Sequence, residues 1–350
     1  MRLLVLNQAT DTADPILGFA TRWLAALARR VERVDVLTMR AGAASLPENV
    51  RVFSVGKERG YGEPRRAVEF YRRLGTLVGT EQVDACFSHM IPVFSVMAAP
   101  VLRLRGIPLV TWHAHRHVSP LLRLAHHVSD RMATSAPSSY GYRRDKLAVL
   151  GQGIDTTAFA PGGRGAEAPP LVLAVGRLSP VKRLETLVDA VRRLHARGDA
   201  KRCAVVGEAP VHHRAYANAL RAAAGADVEF VGPVPYAELP AWYRRATVHV
   251  NLSPTGALDK SALEAMACGR PSVVANAGFA ATLGPHADTL LVRDAEPAAL
   301  ADQLASVLAM TPGARATLGA ALRERICREH DLDRLAGRIV ALLHELGAPA

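Results

Sequence analysis

The sequence predicts an α/β protein built from two doubly wound parallel-sheet domains, and three observations carry that prediction. The first is length: 350 residues exceed the usual size of one domain, so two domains of roughly 150 residues each are expected. The second is a regular alternation of short, β-rich apolar runs with helical patterns. That alternation marks parallel strands covered by helices on both faces. The third is the stretch "APGGRGAEAPP", Ala160 to Pro170, rich in Gly and Pro and without a hydrophobic period, which reads as the linker. The expected division is 1–165 and 166–330, with residues 331–350 as a last helix that could pack across either domain, including back on the N-terminal one.

The elements follow in order. "MRLLVLNQ" opens the chain as a strand, because its apolar run is far shorter than a signal-peptide core and no small-residue cleavage site follows. "VDVLT", "RVFSV", "VDACFS", "PLVTW" and "RMATS" are the next strands. "LVLAVG", "CAVVG", "VEFVG", "TVHVNL" and "PSVVAN" are those of the second half. In "LVLAVGRLSPVKRLETLVDAVRRLHARG" a buried strand and a glycine turn lead into a helix. There Leu184, Leu187, Val188, Val191 and Leu194 keep helical spacing, with Ser179-Pro180 as the start signal and Gly198 as the stop. "DLDRLAGRIVALLHEL" closes the chain as an amphipathic helix. The longest uncharged apolar stretch, Met90 to Leu102, contains Pro92 and Pro100 and is shorter than the roughly 20 residues that span a bilayer.

Composition narrows the function classes. Hydrophobic residues at 49% and charged residues at 21% fit a globular protein. A net charge of +11 points to anionic partners, or to a basic, Arg-rich proteome. Nucleic acid is not expected, since aromatics are only 5% and no recognition motif occurs. The cysteines Cys86, Cys203, Cys268 and Cys327 are scattered without paired spacing, which suits a reducing cytoplasm and no structural metal. Within Arg51 to Leu74, "KERGYGEPRRAVEFYRRL" mixes Val68, Phe70, Tyr71 and Leu74 with Arg65, Arg66, Arg72 and Arg73. Such a face suits peripheral contact with an anionic membrane or, equally, a solvated helix surface.

The chemistry concentrates in two places of the second half. Arg177 and Lys182 follow the strand "LVLAVG", where the ends of parallel strands open into a ligand crevice. A rigid guanidinium fork and a point charge there suit a diphosphate. The other place is "SPTGALDKSALEAMACGRPSVV", Ser253 to Val274. Thr255-Gly256-Ala257 lies just before a helix N-terminus, where free N–H groups and the helix dipole favour an anion. Glu264, one turn inside, can accept both hydroxyls of a ribose, or it can pair with Lys260 four residues earlier. Asp259 is either a sugar ligand or a helix cap, and Lys260 either a phosphate contact or an exposed pairing group. In the first half, "LVTWHAHRHVSP" places His113, His115 and His117 after a strand. A zinc reading lacks an accompanying cysteine or carboxylate cluster, and structural histidines are the plainer reading of His115 and His117.

The segments "VGRLSPVKRLETLVDAV", "FVGPVPYAELPAWYRRATVHVNLS" and "LEAMACGRPSVVAN" resemble, in order and spacing, the C-terminal domain of family 4 glycosyltransferases across Leu171 to Met310. "LAVLGQGIDTTAFAP", Leu147 to Pro161, resembles the segment that enters that domain. The resemblance implies a GT-B fold, two Rossmann-like domains facing across a cleft. The second would hold a nucleoside diphosphate sugar and the first the acceptor, with no cofactor and no metal. It implies that Arg177 and Lys182 bind the diphosphate, that Glu264 is the second glutamate of an E-x7-E motif, and that His113 contacts the donor sugar near the reacting carbon. Gly176, Val234, Gly256, Ala257 and Lys260 join the donor-side candidates. The first glutamate of the motif would fall at Gly256 and is absent, so the donor sugar stays open and Asp259 is the nearest replacement carboxylate. Gly18, in "DPILGFATRW", is all that remains of the family's N-terminal double glycine. With Asp14, which also suits an N-cap of the first helix, it is an acceptor-side candidate.

The expected function is a retaining, metal-independent glycosyltransferase acting on a glycolipid or polysaccharide intermediate of the cell envelope or on a small-molecule acceptor. It would work in the cytoplasm, peripherally at the inner face of the membrane. A nucleotide-sugar epimerase or hydrolase on the same frame, or a nucleotide-sugar-binding pseudoenzyme, are the alternatives. A dinucleotide-dependent oxidoreductase is disfavoured, since "GQGID" supplies only Gly151 and Gly153 of the glycine fingerprint.

Overall fold

Leu3 and Val5 on one side of the first strand, and Leu4 and Leu6 on the other, are all buried, as the period-2 geometry of a strand covered on both faces requires. The structure, a computed structural model, describes residues 1–14, 17–163, 166–198, 202–254, 256–292 and 296–349. The chain divides into two compact units, Met1–Gly153 with Leu332–Ala350, and Ile154–Asp331.

In the first unit, the described strands are β1 (Arg2–Asn7), β2 (Arg33–Thr38), β3 (Val50–Ser54), β4 (Ala85–His89), β5 (Leu109–Trp112), β6 (Arg131–Thr134) and β7 (Leu147–Val149). They pair in the order β3-β2-β1-β4-β5-β6-β7, all parallel. The order reverses between β1 and β4, so the ligand crevice of this sheet lies at their C-terminal ends. Leu3 and Val5 pack with Trp23 and Leu27 and with Leu335, Ile339 and Leu343 of the C-terminal helix Leu332–Glu345. Leu4 and Leu6 pack on the opposite face with Phe70, Leu74, Phe94 and Ala98. Each such fully buried side chain contributes roughly 1.5–3 kcal/mol. The C-terminal helix is fastened further by Asp333, which accepts from Arg29 Nη2 at 2.9 Å, and by Arg338, whose Nε donates to the Leu150 carbonyl at 2.8 Å.

Two expectations change here. The helix Glu63–Thr80 turns Phe70 and Leu74 fully into the core, so only Val68 (66% exposed) and Tyr71 (48%) are outward apolar groups on it. Its Arg72 and Arg73 pair with Glu69, and Arg66 with Glu63. Most of the apolar bulk in this stretch therefore serves the sheet. The unit boundary falls at Gly153/Ile154 and not inside Ala160–Pro170. The reason is hydrogen bonding that no local composition reveals. Ile154 N–H donates to the His330 carbonyl at 2.8 Å, Arg244 reaches the carbonyls of Ala158 and Ala160, and Arg323 those of Thr156 and Phe159. These bonds strap the segment to the second unit.

The second unit carries β8 (Leu171–Val175), β9 (Arg202–Val206), β10 (Glu229–Gly232), β11 (Val248–Asn251) and β12 (Ser272–Val274). They run parallel in the order β10-β9-β8-β11-β12. Here the order reverses between β8 and β11, and the residues that follow them, Gly176 and Leu252, open the crevice. Among the described residues no helix is long and apolar enough to cross a membrane.

Candidate functional site

The end of β8 is packed too closely for side chains. Gly176 N–H donates to the Val206 carbonyl and Gly207 N–H to the Gly232 carbonyl. A Cβ on Gly207, whose φ is 137°, would lie 2.0 Å from the Gly176 oxygen, so only glycine fits. Arg177 follows, exposed and without a side-chain bond among the described residues. Ser179-Pro180 starts only a 3-10 turn, Pro180–Lys182; Arg183 then adopts left-handed φ and the α-helix begins at Leu184. This differs from the expected start, because the chain first folds Lys182 back over Gly176, to which a Cβ would come within 3.3 Å of Lys182 Cε.

There Lys182 makes an ion pair with Asp259, both side chains partly buried. Asp259 also caps the helix Lys260–Ala267: its Oδ1 accepts from Ser261 N–H at 3.2 Å and Ser261 Oγ at 3.1 Å. Burial alone would raise its pKa, yet the Lys182 ammonium, with Asn251 and the Ser261 N–H, holds the carboxyl well below the usual range. The capping role is thus present, and it coincides with a charge pair to the diphosphate candidate. Arg177, Lys182, Gly176, Asn251 and Leu252 line one pocket at the switch point.

Glu264 is 3% exposed. Its two oxygens accept from Tyr236 Oη at 3.0 Å and Tyr243 Oη at 2.9 Å. Burial raises its pKa, against the two hydroxyls and Lys260. Lys260, one helical turn before it, is pushed down to about 7 by burial, against the pull of Glu264 and Asp259. A carboxylate oxygen has two lone pairs, so a ribose can still be accepted beside the tyrosines. Gly256 is buried, and the Ala257 carbonyl accepts from Asn276 Nδ2 at 2.9 Å, which pins the loop before the helix. Thr255 lies outside the described residues. Val234 is half-buried between β10 and the turn Tyr236–Glu238.

Tyr236 and Tyr243 were not singled out by the sequence. Both stand inside "FVGPVPYAELPAWYRRATVHVNLS", but nothing in the spacing says that either hydroxyl serves Glu264. Tyr243 is fully buried, and a buried phenol needs an acceptor; that demand was the available signal.

In the first unit, His113 is half-buried, edge-on to Tyr140 at 6.3 Å, and neither ring nitrogen has a hydrogen-bond partner. Burial, then His115 and His117, pushes its pKa down to about 4, so the ring is neutral at pH 7. His115 and His117 are exposed, and His115 Nδ1 accepts from the His117 N–H at 3.0 Å. Asp14 does not cap the first helix, Ala20–Ala28, whose N-cap position is Phe19. It accepts from Leu17 N–H at 2.8 Å and pairs with Arg40. Gly18 closes that turn: a Cβ would lie 2.7 Å from the Asp14 carbonyl oxygen.

Residues 169–310 match the family model described as Glycosyl transferases group 1. D-inositol 3-phosphate glycosyltransferase of Kribbella flavida is 34% identical over 56% of this chain and 50% of its own length. The putative colanic acid biosynthesis glycosyltransferase WcaL of Escherichia coli is 30% identical over 55% and 49%. The chain therefore spans about half the length of the curated relatives it matches. HepE of Anabaena, crystallised with UDP and glucose, superposes with a TM-score of 0.76 at 20% identity, over 98% of this chain and 99% of that one. The match over residues 169–310 lies in the stretch that carries the family 4 resemblance, and the two parallel-sheet units are of the GT-B fold class.

Proposed function

We propose that this protein is a retaining, metal-independent glycosyltransferase that moves a sugar from a nucleoside diphosphate sugar to a hydroxyl acceptor. The observation that carries the reading is the meeting of Arg177 and Lys182 with the start of the helix Lys260–Ala267 at the β8/β11 switch point. A diphosphate there has the Arg177 fork free to bind it, and it competes with Asp259 for Lys182. As the bond to the leaving phosphate loosens, both cations take up the developing charge without a metal, and preorganised charge of this kind is commonly the largest catalytic contribution. In the retaining route a phosphate oxygen helps to remove the acceptor proton, so no protein base is required. Glu264, oriented by two tyrosines, takes the ribose; Gly256, Ala257, Lys260, Gly176 and Val234 complete the donor side, and His113 contacts the transferred sugar. Asp259, released from Lys182, stands in for the glutamate missing at Gly256.

HepE's complex with UDP and glucose supports uridine as the first base to test. The colanic acid relative supports an envelope polysaccharide or glycolipid intermediate as acceptor, and the inositol phosphate relative a small soluble one. Action in the cytoplasm, with contact at the inner membrane face, completes the proposal.

The test is calorimetric titration of UDP, GDP and ADP into wild type and Arg177→Ala, followed by turnover of the corresponding sugar donors with and without EDTA. One nucleotide bound by wild type and lost in the variant is the expected result. Failure of every nucleotide to bind sinks the reading. Donor consumption without acceptor would move it to an epimerase or hydrolase, and binding without turnover to a pseudoenzyme.

A further inference from the structure

The sheet of the first unit also has a switch point, between β1 and β4, and a cavity of about 440 Å³ sits there. Gln8 and Ala9 follow β1, Ile91 and Val93 follow β4, and Arg40 and Lys57 complete it with Leu17. Leu17, Ile91 and Val93 offer apolar walls, while Arg40 and Lys57 bring two positive charges. Asp14 holds Arg40 through Nη2, and among the described residues the rest of its fork has no hydrogen-bond partner, so it stays available. Lys57 is exposed, and its ammonium has no partner among the described residues. The nearest acid in sequence, Glu58, is occupied by Ser54 Oγ at 2.7 Å, Arg59 Nε at 3.2 Å and Ala41 N–H at 3.3 Å. Ile91 and Val93 also begin the 13-residue helix Pro92–Leu104, whose N-terminus no side chain caps. The positive end of that helix dipole lies against the same cavity.

We propose that this cavity binds a phosphate monoester carried by the hydroxyl acceptor, with Arg40 and Lys57 on the phosphate and Leu17, Ile91 and Val93 on the carbon skeleton. This rests on the transferase reading and gives its acceptor a chemical class. A phosphate monoester is mostly a dianion at pH 7, which Lys57, the unpaired part of the Arg40 fork and a helix start match; a neutral polyol would leave the Lys57 charge unanswered. Asp14 and Gly18 act here as positioning residues, since their turn fixes Arg40 and delivers Leu17.

The experiment titrates inorganic phosphate, glucose 6-phosphate and glucose into protein already saturated with UDP, so that the donor-side cations are occupied. The expected result is binding of both phosphates and not of glucose, weakened about tenfold or more in Lys57→Gln and again in the Lys57→Gln/Arg40→Gln pair. Lys57 holds up no other group, so its replacement leaves the fold intact. Absence of phosphate binding, or binding that Lys57→Gln leaves unchanged, overturns the proposal. If UDP itself does not bind, the donor reading falls instead, and the same titration in Arg177→Ala decides the acceptor cavity alone. Inorganic phosphate binding without glucose 6-phosphate binding also counts against it, because the site would then hold an adventitious ion only.

Discussion

The two sheets reverse their strand order in the same way and finish in opposite chemistry. At the β8/β11 switch point of the second unit most polar groups are satisfied by one another: Lys182 by Asp259, Glu264 by Tyr236 and Tyr243, Asp259 by Ser261. At the β1/β4 and β5 ends of the first unit, Lys57 and the ring of His113 have no such partners among the described residues. The difference teaches that one site is also a piece of the core. Buried charge in the second unit must be paired to exist at all, so the candidate binding residues there carry stability whatever else they do. In the first unit the Lys57 ammonium is at the surface, where leaving it unpaired costs little, and the half-buried His113 ring meets its burial by staying neutral.

The largest expected effect follows from that difference. Glu264→Ala strands the buried Tyr243 hydroxyl and removes the counter-charge of Lys260, a loss of about 2–4 kcal/mol, seen as a lowered urea midpoint together with lost nucleotide binding. A midpoint within error of wild type would break the comparison. Gly207→Ala comes next: its Cβ cannot share space with the Gly176 oxygen, and about 1–3 kcal/mol is expected from strain and repacking. Asp259→Asn keeps a capping oxygen but loses the charge pair, so about 1 kcal/mol is expected on thermal melting. Its turnover separates a sugar ligand, which would show a large loss, from a cap, which would not.

A pH titration sharpens the comparison further. Lys260 binds its proton in the fold only below about 7, and in the unfolded chain up to roughly 10.4. Between those values the unfolded state holds more protons, so stability rises with pH; below about 7 the penalty is fully present. Chemical denaturation from pH 7 to 10 should show that rise, and Lys260→Met should flatten it. The smallest folding effects belong to Arg177→Ala and His113→Gln, each within about 0.5 kcal/mol, because neither side chain has a hydrogen-bond partner to lose. On the proposed function, Arg177→Ala is nevertheless expected to abolish nucleotide binding in calorimetric titration, and His113→Gln to lower kcat in steady-state assays.

The sequence by itself determined the sheets, because a strand covered on both faces must be apolar along its length. Leu3 to Leu6 and Leu171 to Ala174 are buried as that run demands; only β7, three residues long, was too short to stand out from "LAVLGQGIDTTAFAP". It also placed Arg177 and Lys182 after one strand and Asp259 and Glu264 after another, since each pair follows its strand in a short motif and strand ends are fixed by the chain. What only the tertiary structure decided is who pairs with whom. Lys182 and Asp259 are 77 positions apart, Tyr243 and Glu264 are 21 apart, and neither pairing has a local periodicity to announce it. The same holds for the division at Gly153/Ile154, where arginines from distant helices satisfy the carbonyls of an otherwise unmarked segment. The cavity of Arg40 and Lys57 likewise comes from the four segments that follow β1, β2, β3 and β4, which the sheet alone brings together. Local preference acts over a few residues, while desolvation obliges buried polar groups to find partners wherever the fold puts them.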